Sequence, residues 1–104
     1  MTILKDIRKT TTIELPSYDG ATVEIYDGML TKDMKEMLAI ENDFDRGMFM
    51  LTKVIKSWSF VDENEKSLPV NVDTLGLLTT KDFNLIMNKV GNVVGELEAK
   101  KEQS

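Results

Sequence analysis

The sequence contains no cysteine and no histidine. The absence of cysteine excludes disulfides, thiolate zinc sites and thiol nucleophiles. The absence of histidine removes the usual general base and the imidazole metal ligand. We therefore expect a protein that is not an enzyme and that uses no cofactor. A chain without cysteine is also typical of a reducing compartment, so we expect a cytoplasmic location.

Long apolar runs and an excess of positive charge are also missing. No stretch approaches the roughly 18 apolar residues that span a bilayer, and the amino terminus has no signal-peptide pattern. Eighteen acidic residues against thirteen basic residues give a net charge of −5. Because binding to a phosphate backbone depends on clustered basic side chains, this balance disfavours a nucleic-acid partner. We expect neither membrane nor nucleic-acid binding.

The rest of the composition is typical of a small globular protein. Of the 104 residues, 41% are hydrophobic and 30% are charged. This length supports one hydrophobic core and not two. We therefore expect a single domain over residues 1–104, with flexible ends at residues 1–9 and 99–104.

Hydrophobic periodicity predicts an α+β fold, with an N-terminal β-hairpin packed on about three α-helices and a long C-terminal helix. β-Branched and polar residues alternate in residues 10–15 and 21–26 around a turn, which predicts the hairpin. Apolar residues at three- and four-residue spacing predict helices over residues 32–41, 46–58 and 80–98. Because an isolated hairpin is only marginally stable, its apolar face must pack on these helices.

Large apolar side chains on these elements predict the core. Trp58 is expected to anchor the end of the second helix, since tryptophan has the largest apolar surface to bury. The segment around Leu68 and Pro69 is expected to be an ordered loop or short strand, because proline disfavours helix at the preceding residue. The predicted core residues are Trp58, Phe60, Leu68, Pro69, Phe83, Ile86 and Val90.

Four residues are candidates for protein binding. Phe49 and Met50 lie off the apolar stripe of the second helix, which predicts an exposed contact or an oligomer patch. Gly91 and Gly95 are four residues apart in the last helix. They indicate either close helix packing, within the fold or between subunits, or glycines tolerated near a fraying end.

The acidic residues raise the question of a metal site. If Asp62 began a calcium-binding loop, Ser67 would occupy the position that requires glycine, and Asp73 the position where a bidentate glutamate is preferred. A solvated acidic surface is the better interpretation, and we expect no metal site. A catalytic pair of carboxylates is recognised only by its geometry, which the sequence does not give.

Several short motifs in residues 45–97 resemble the tail assembly chaperones of long-tailed bacteriophages. The motifs are Lys56-Ser57-Trp58-Ser59-Phe60, Asp62-Glu63-Asn64, Leu68-Pro69-Val70, Leu75, Leu78 and Lys81-Asp82-Phe83. The resemblance implies a non-enzymatic protein in the cytoplasm of the bacterial host cell. Such a protein coats the tape measure protein before tail polymerisation and then yields to the tail tube protein. The resemblance also implies a homo-oligomer and, often, a longer form made by frameshifting.

Three other functions stay open at this point. The first is another phage structural or connector subunit, which would form a closed symmetric ring. The second is an acidic inhibitor, which would present rows of carboxylates to a basic groove. The third is a small enzyme with two buried acids in a cleft.

Overall fold

A computed structural model describes the backbone of residues 2–102 and the side chains of residues 2–91. Its elements in chain order are β1 (Thr10–Leu15), β2 (Ala21–Tyr26), α1 (Thr31–Leu38), α2 (Asp43–Val54), β3 (Ile55–Trp58), α3 (Val72–Leu75) and α4 (Thr80–Glu102). The α+β class, the N-terminal hairpin and the long C-terminal helix are therefore confirmed.

The three strands form one antiparallel sheet in the order β1-β2-β3. The turn between β1 and β2 is closed by backbone hydrogen bonds in which Tyr18 donates to Leu15 and Ala21 donates to Tyr18. Gly20 in this turn has φ 74°, a conformation that glycine adopts without steric strain. The turn fixes the hairpin register and leaves β1 and β3 as the sheet edges.

The core lies between one face of the sheet and helices α2 and α4. Alternation along the strands directs every second side chain to this face, and Val23 and Ile25 are almost fully buried there. The buried apolar residues are Ile13, Leu15, Ala21, Val23, Ile25, Met48, Leu51, Val54, Ile55, Leu75, Ile86 and Val90. Thr11, which shares the parity of Ile13, is exposed at the open side of β1.

The predicted second helix, residues 46–58, is wrong at its C-terminal end. Helix α2 ends at Val54, and Ile55–Trp58 instead forms β3, which pairs with β2. The sequence is ambiguous here because the apolar residues Val54, Ile55 and Trp58 fit a helical stripe as well as a strand. Strand pairing with β2 decides the conformation, since it satisfies backbone groups that a helix end would leave open.

Side-chain caps define the starts of three helices. Asn42 accepts a hydrogen bond from the Asp45 backbone N–H at the start of α2, and Asn71 accepts one from Thr74 at α3. At α4 the Thr79 hydroxyl donates to the Asp82 carboxylate at 2.8 Å and accepts from the Asp82 N–H at 3.4 Å. These hydrogen bonds stop the helix N-termini from fraying.

Candidate functional site

An apolar groove opens at the turn end of the sheet, where three segments meet. The β1–β2 turn, the loop after β3 and helix α3 each contribute side chains. The groove is lined by Tyr18, Phe60, Val61, Leu68, Thr74, Leu77 and Leu78 and encloses about 160 Å³. We refer to this set of residues as the apolar groove.

Aromatic stacking forms one wall of the apolar groove. Phe60 lies between Tyr18 and Trp58, with ring centroids 5.2 Å and 5.4 Å away and near-perpendicular planes. The Trp58 indole N–H donates to the Leu68 carbonyl at 2.8 Å. Edge-to-face aromatic pairs add to the stability that their buried area gives. The wall is therefore held in place by contacts within the chain.

The loop beside this wall is also fixed by hydrogen bonds. The Leu68 backbone N–H donates to the Phe60 carbonyl, and Val61 pairs antiparallel with Ser67. The Asp62 carboxylate accepts from the N–H groups of Asn64 and Lys66, at 2.8 Å and 3.0 Å. Asp62 thus has a structural role in the turn, which is the usual behaviour of aspartate in such loops.

Helix α3 and the residues that follow it form the opposite wall. Leu75 is 1% exposed and anchors the helix in the core, whereas Leu77 is 76% exposed at the groove. Val61, on the facing loop, is 49% exposed. Two large aliphatic side chains are therefore held toward solvent on either side of the hollow and form an exposed apolar patch.

Acidic residues border the apolar groove. A second hollow of about 450 Å³ continues from it across Val61, Leu68 and Leu77 and is lined on its far side by Asp62, Glu63 and Asn64. We call Asp62 and Glu63 the acidic rim. The combination of an apolar floor and an acidic rim favours an apolar ligand flanked by positive charge.

Two observations on the described residues concern metal binding and buried acids. Among them, no acidic side chains converge in a group that could hold a metal ion. The two buried carboxylates of this part of the chain, Asp33 and Asp82, lie in the first turns of different helices, α1 and α4. Neither lines the apolar groove. As for the membrane, none of the helices in the described range is both long and apolar enough to cross a bilayer.

Phe49 and Met50 are less exposed than the sequence predicts, and their role in protein binding stays a prediction. Both side chains are half-buried, and Met50 packs against the core. The Lys53 ammonium lies 5.5 Å from the Phe49 ring centroid. The sequence pattern missed this because the apolar face of α2 is wider than one stripe: the helix contacts both α1 and α4.

The two helix glycines differ in what the structure describes. Gly91 is exposed, and a methyl group placed on it would meet nothing within 4 Å. Close packing within the fold is therefore wrong at Gly91, whereas packing between subunits stays a prediction. The backbone of Gly95 lies in α4, but its surroundings lie outside the residues whose side chains are described.

The predicted core residues lie in three different environments. Ile86 and Val90 are fully buried. Trp58, Phe60, Leu68 and Phe83 are half-buried. Phe60 and Leu68 line the apolar groove, and Trp58 packs against Phe60. Pro69 is exposed, so its assignment to the core is wrong. Its place follows from the loop, in which Leu68 points to the groove and the next residue points away.

Sequence reasoning missed the most exposed groove residue. Leu77 follows Gly76 directly after the four-residue helix α3, which is too short to give an apolar stripe. The only available signal was a pair of adjacent leucines, Leu77 and Leu78, which cannot both face a core from one turn.

Comparison with protein-family models, with curated proteins and with solved structures gives no match to this chain.

Proposed function

We propose that this protein is a non-enzymatic assembly chaperone of bacteriophage tails, which binds the tape measure protein in the cytoplasm of the bacterial host and helps to recruit tail tube subunits. The observation that carries the proposal is the apolar groove with its acidic rim. Apart from Tyr18, the residues that line the groove lie between Phe60 and Leu78, within the part of the chain whose motifs resemble that family.

The groove chemistry suits a helical apolar client. Leu77 and Val61 are exposed in the free protein, and full burial of such a side chain contributes about 1.5–3 kcal/mol. Preformed walls lower the entropic cost of binding, because fewer side chains must be ordered. An amphipathic helix that lays its apolar face in the groove would gain this burial, as in other helix-in-groove complexes.

The acidic rim supports the same interpretation. The chain has a net charge of −5, so a complex with a hydrophobic client keeps a solubilising charge. Exposed carboxylates beside the groove select clients with basic residues at the flanks of the apolar face. We therefore propose a client segment with leucine or isoleucine on one helical face and lysine or arginine on either side of it.

The test is co-expression with the tape measure protein of the same phage, followed by size-exclusion chromatography with light scattering. We expect a soluble complex with several chaperone copies per client. Leu77→Asp should abolish client solubilisation, since it places an unpaired charge in the groove. Leu38→Asp is the matched control, because Leu38 is 64% exposed on α1, away from the groove, and should bind as the wild type does.

Two results would contradict the proposal. Equal loss of client solubility in Leu77→Asp and Leu38→Asp would mean that the groove is not the binding site. A closed ring of the protein alone, with no effect on the client, would instead favour a connector subunit. Circular dichroism on both variants separates either result from loss of the fold.

A further inference from the structure

The N-terminal arm, defined as residues 2–7, is an apolar segment that forms no strand or helix. Ile3, Leu4 and Ile7 are 82%, 98% and 80% exposed. Three large aliphatic side chains so close together in an exposed segment are unusual in a monomeric protein. An extended arm would direct Ile3 and Ile7 to one face and Leu4 to the other, because the strand period is two.

The outer edge of β1 is open along the same part of the sheet. The Asp27 backbone N–H donates to the Lys9 carbonyl, and hydrogen-bonded pairs alternate along an antiparallel ladder. Thr10, Thr12 and Glu14 therefore direct their backbone groups away from β2. Within the part of the chain that the structure describes, no strand pairs with this edge. An open edge of this kind can accept an added strand.

A groove along this edge can take the side chains of an added strand. It runs between β1 and α4, encloses about 480 Å³ and includes Ile13, Leu85 and Lys89 in its lining. Leu85 is half-buried there and packs against the core. An apolar side chain on the helix-facing side of an added strand would cover Leu85.

The arm is held away from the edge of its own copy. The Arg8 guanidinium donates to the Gly28 carbonyl at 3.1 Å, and the Lys9 carbonyl accepts from Asp27. Residues 8 and 9 thus continue the line of β1 alongside β2. A tight return onto the β1 edge would need its turn at these two residues, and their backbone and side-chain contacts oppose it.

We infer that two copies of this chain exchange N-terminal arms, each arm pairing antiparallel with the β1 edge of the other copy. The exchange is reciprocal, because a two-fold axis near the start of both β1 strands lays each arm on the opposite edge at once. Extended arms place Ile3 and Ile7 on the face that carries Ile13, which is the side where Leu85 lies. The inference does not depend on any client of the apolar groove.

The expected buried area favours reciprocal exchange between two copies over binding of a single arm. Burial of one aliphatic side chain removes on the order of 100 Å² from water. The Ile3 and Ile7 side chains of the two arms, with a similar area on the surface they cover, bury roughly 800 Å², which is the size of weak, reversible interfaces, because Leu4 lies on the outer face. One arm on one edge would bury about half of that area, which is below the range of specific interfaces.

Analytical ultracentrifugation of the full chain over a concentration series tests the exchange. We expect a reversible dimer, and we expect Ile3→Asp combined with Ile7→Asp to weaken dimerisation by about tenfold or more. Ile3→Val with Ile7→Val keeps the apolar arm and should retain the dimer. Thr12→Pro removes an outward N–H that β2 does not use and should also give monomers, whereas Thr12→Ala should not. A monomeric wild type, or a dimer that persists in both disrupting variants, would overturn the inference.

Disulfide trapping distinguishes arm exchange from other dimers. Because the sequence has no cysteine, only the introduced cysteines can form a crosslink. Single variants Leu4→Cys and Glu14→Cys are mixed and oxidised. Both positions lie on the outer face of an exchanged ladder, so we expect a crosslink between the two different chains. Leu4→Cys mixed with Leu38→Cys is the control and should not crosslink. Equal crosslinking in both mixtures, or none in either, would overturn the exchange geometry.

Discussion

Arg8 connects the start of the chain to the sheet through contacts with three residues. Its guanidinium forms bonds of 2.8 Å and 3.0 Å to the Asp6 carboxylate, donates to the Gly28 carbonyl, and lies 3.7 Å from the centroid of the Tyr26 ring. The planar fork of arginine suits this combination of a carboxylate, a carbonyl and an aromatic face. One side chain therefore orders residues that belong to no regular element.

The Arg8 guanidinium lowers the pKa of Asp6 from 3.8 to about 2, chiefly through the side-chain hydrogen bond. Because the folded pKa lies below the unfolded value, the pair stabilises the fold above about pH 4, and this contribution is lost as the pH falls through about 2. NMR titration of the Asp6 carboxyl carbon should show the low pKa. Arg8→Gln should return it toward 3.8, and Lys9→Gln should not. An ordinary pKa in the wild type would contradict the pairing.

At the scale of elements, the sequence predicts the hairpin and the long last helix well because their patterns have one interpretation. Ile13 and Leu15 on β1, and Ile86 and Val90 on α4, follow simple periods of two and three to four. The boundary between α2 and β3 could not be predicted. Its residues fit both periods, and only the pairing of Ile55 with Ile25 decides between them.

The candidate site was only partly predictable for a related reason. The motifs around Trp58 and Leu68 lie in the segment that lines or borders the groove, but the sequence analysis assigned both residues to the core. The groove arises from three separate segments that meet at one end of the sheet. Exposure of Leu77 depends on where α3 stops relative to the Tyr18 turn, and no local pattern contains that information.

The hydrogen bonds between Thr79 and Asp82 at the start of α4 are expected to stabilise the fold. Thr79→Ala removes the hydroxyl that donates to the Asp82 carboxylate, which is 2% exposed. Loss of a threonine cap costs about 1–2 kcal/mol, and a buried carboxylate that loses a donor adds to the destabilisation. We expect Thr79→Ala to lower the free energy of unfolding by about 2 kcal/mol in urea titrations.

Thr80→Ala is the matched control for the cap. Thr80 is exposed in the first turn of the same helix, so its replacement should change the unfolding free energy by less than about 0.5 kcal/mol. Similar effects of the two substitutions would show that the Thr79–Asp82 pair contributes nothing specific. The comparison also excludes a general effect of alanine on helix propensity, because both positions receive the same residue.

At the scale of the whole molecule, the proposed binding surfaces lie at different places on the described part of the chain. The apolar groove is at the turn end of the sheet, whereas the β1 edge runs along its side and the arm leaves from the opposite end of β1. Self-association and client binding therefore need not compete. A dimer joined through β1 would carry two apolar grooves, and two sites on one client would bind with a raised effective concentration.

The acidic rim is expected to raise the affinity of the groove for a helix that carries positive charge. The probe is a synthetic amphipathic helix with leucines on one face, lysines at its flanks and no aromatic residue. Trp58, the sole tryptophan, contacts the groove residue Phe60, so its fluorescence reports binding. Exposed ion pairs contribute about 0.2–1 kcal/mol. We therefore expect Glu63→Gln to weaken binding by about two- to fivefold at low salt.

Salt separates the charge contribution from the apolar one. Screening should reduce the affinity of the wild type more than that of Glu63→Gln, because the Debye length falls from about 10 Å at 0.1 M to about 3 Å at 1 M. The two proteins should converge at high salt and still bind, since burial of Leu77 does not depend on ionic strength. Glu36→Gln removes an equal charge from the exposed surface of α1 and should match the wild type at every salt concentration. If Glu36→Gln and Glu63→Gln weakened binding equally, net charge alone would direct association, and the rim would have no specific role.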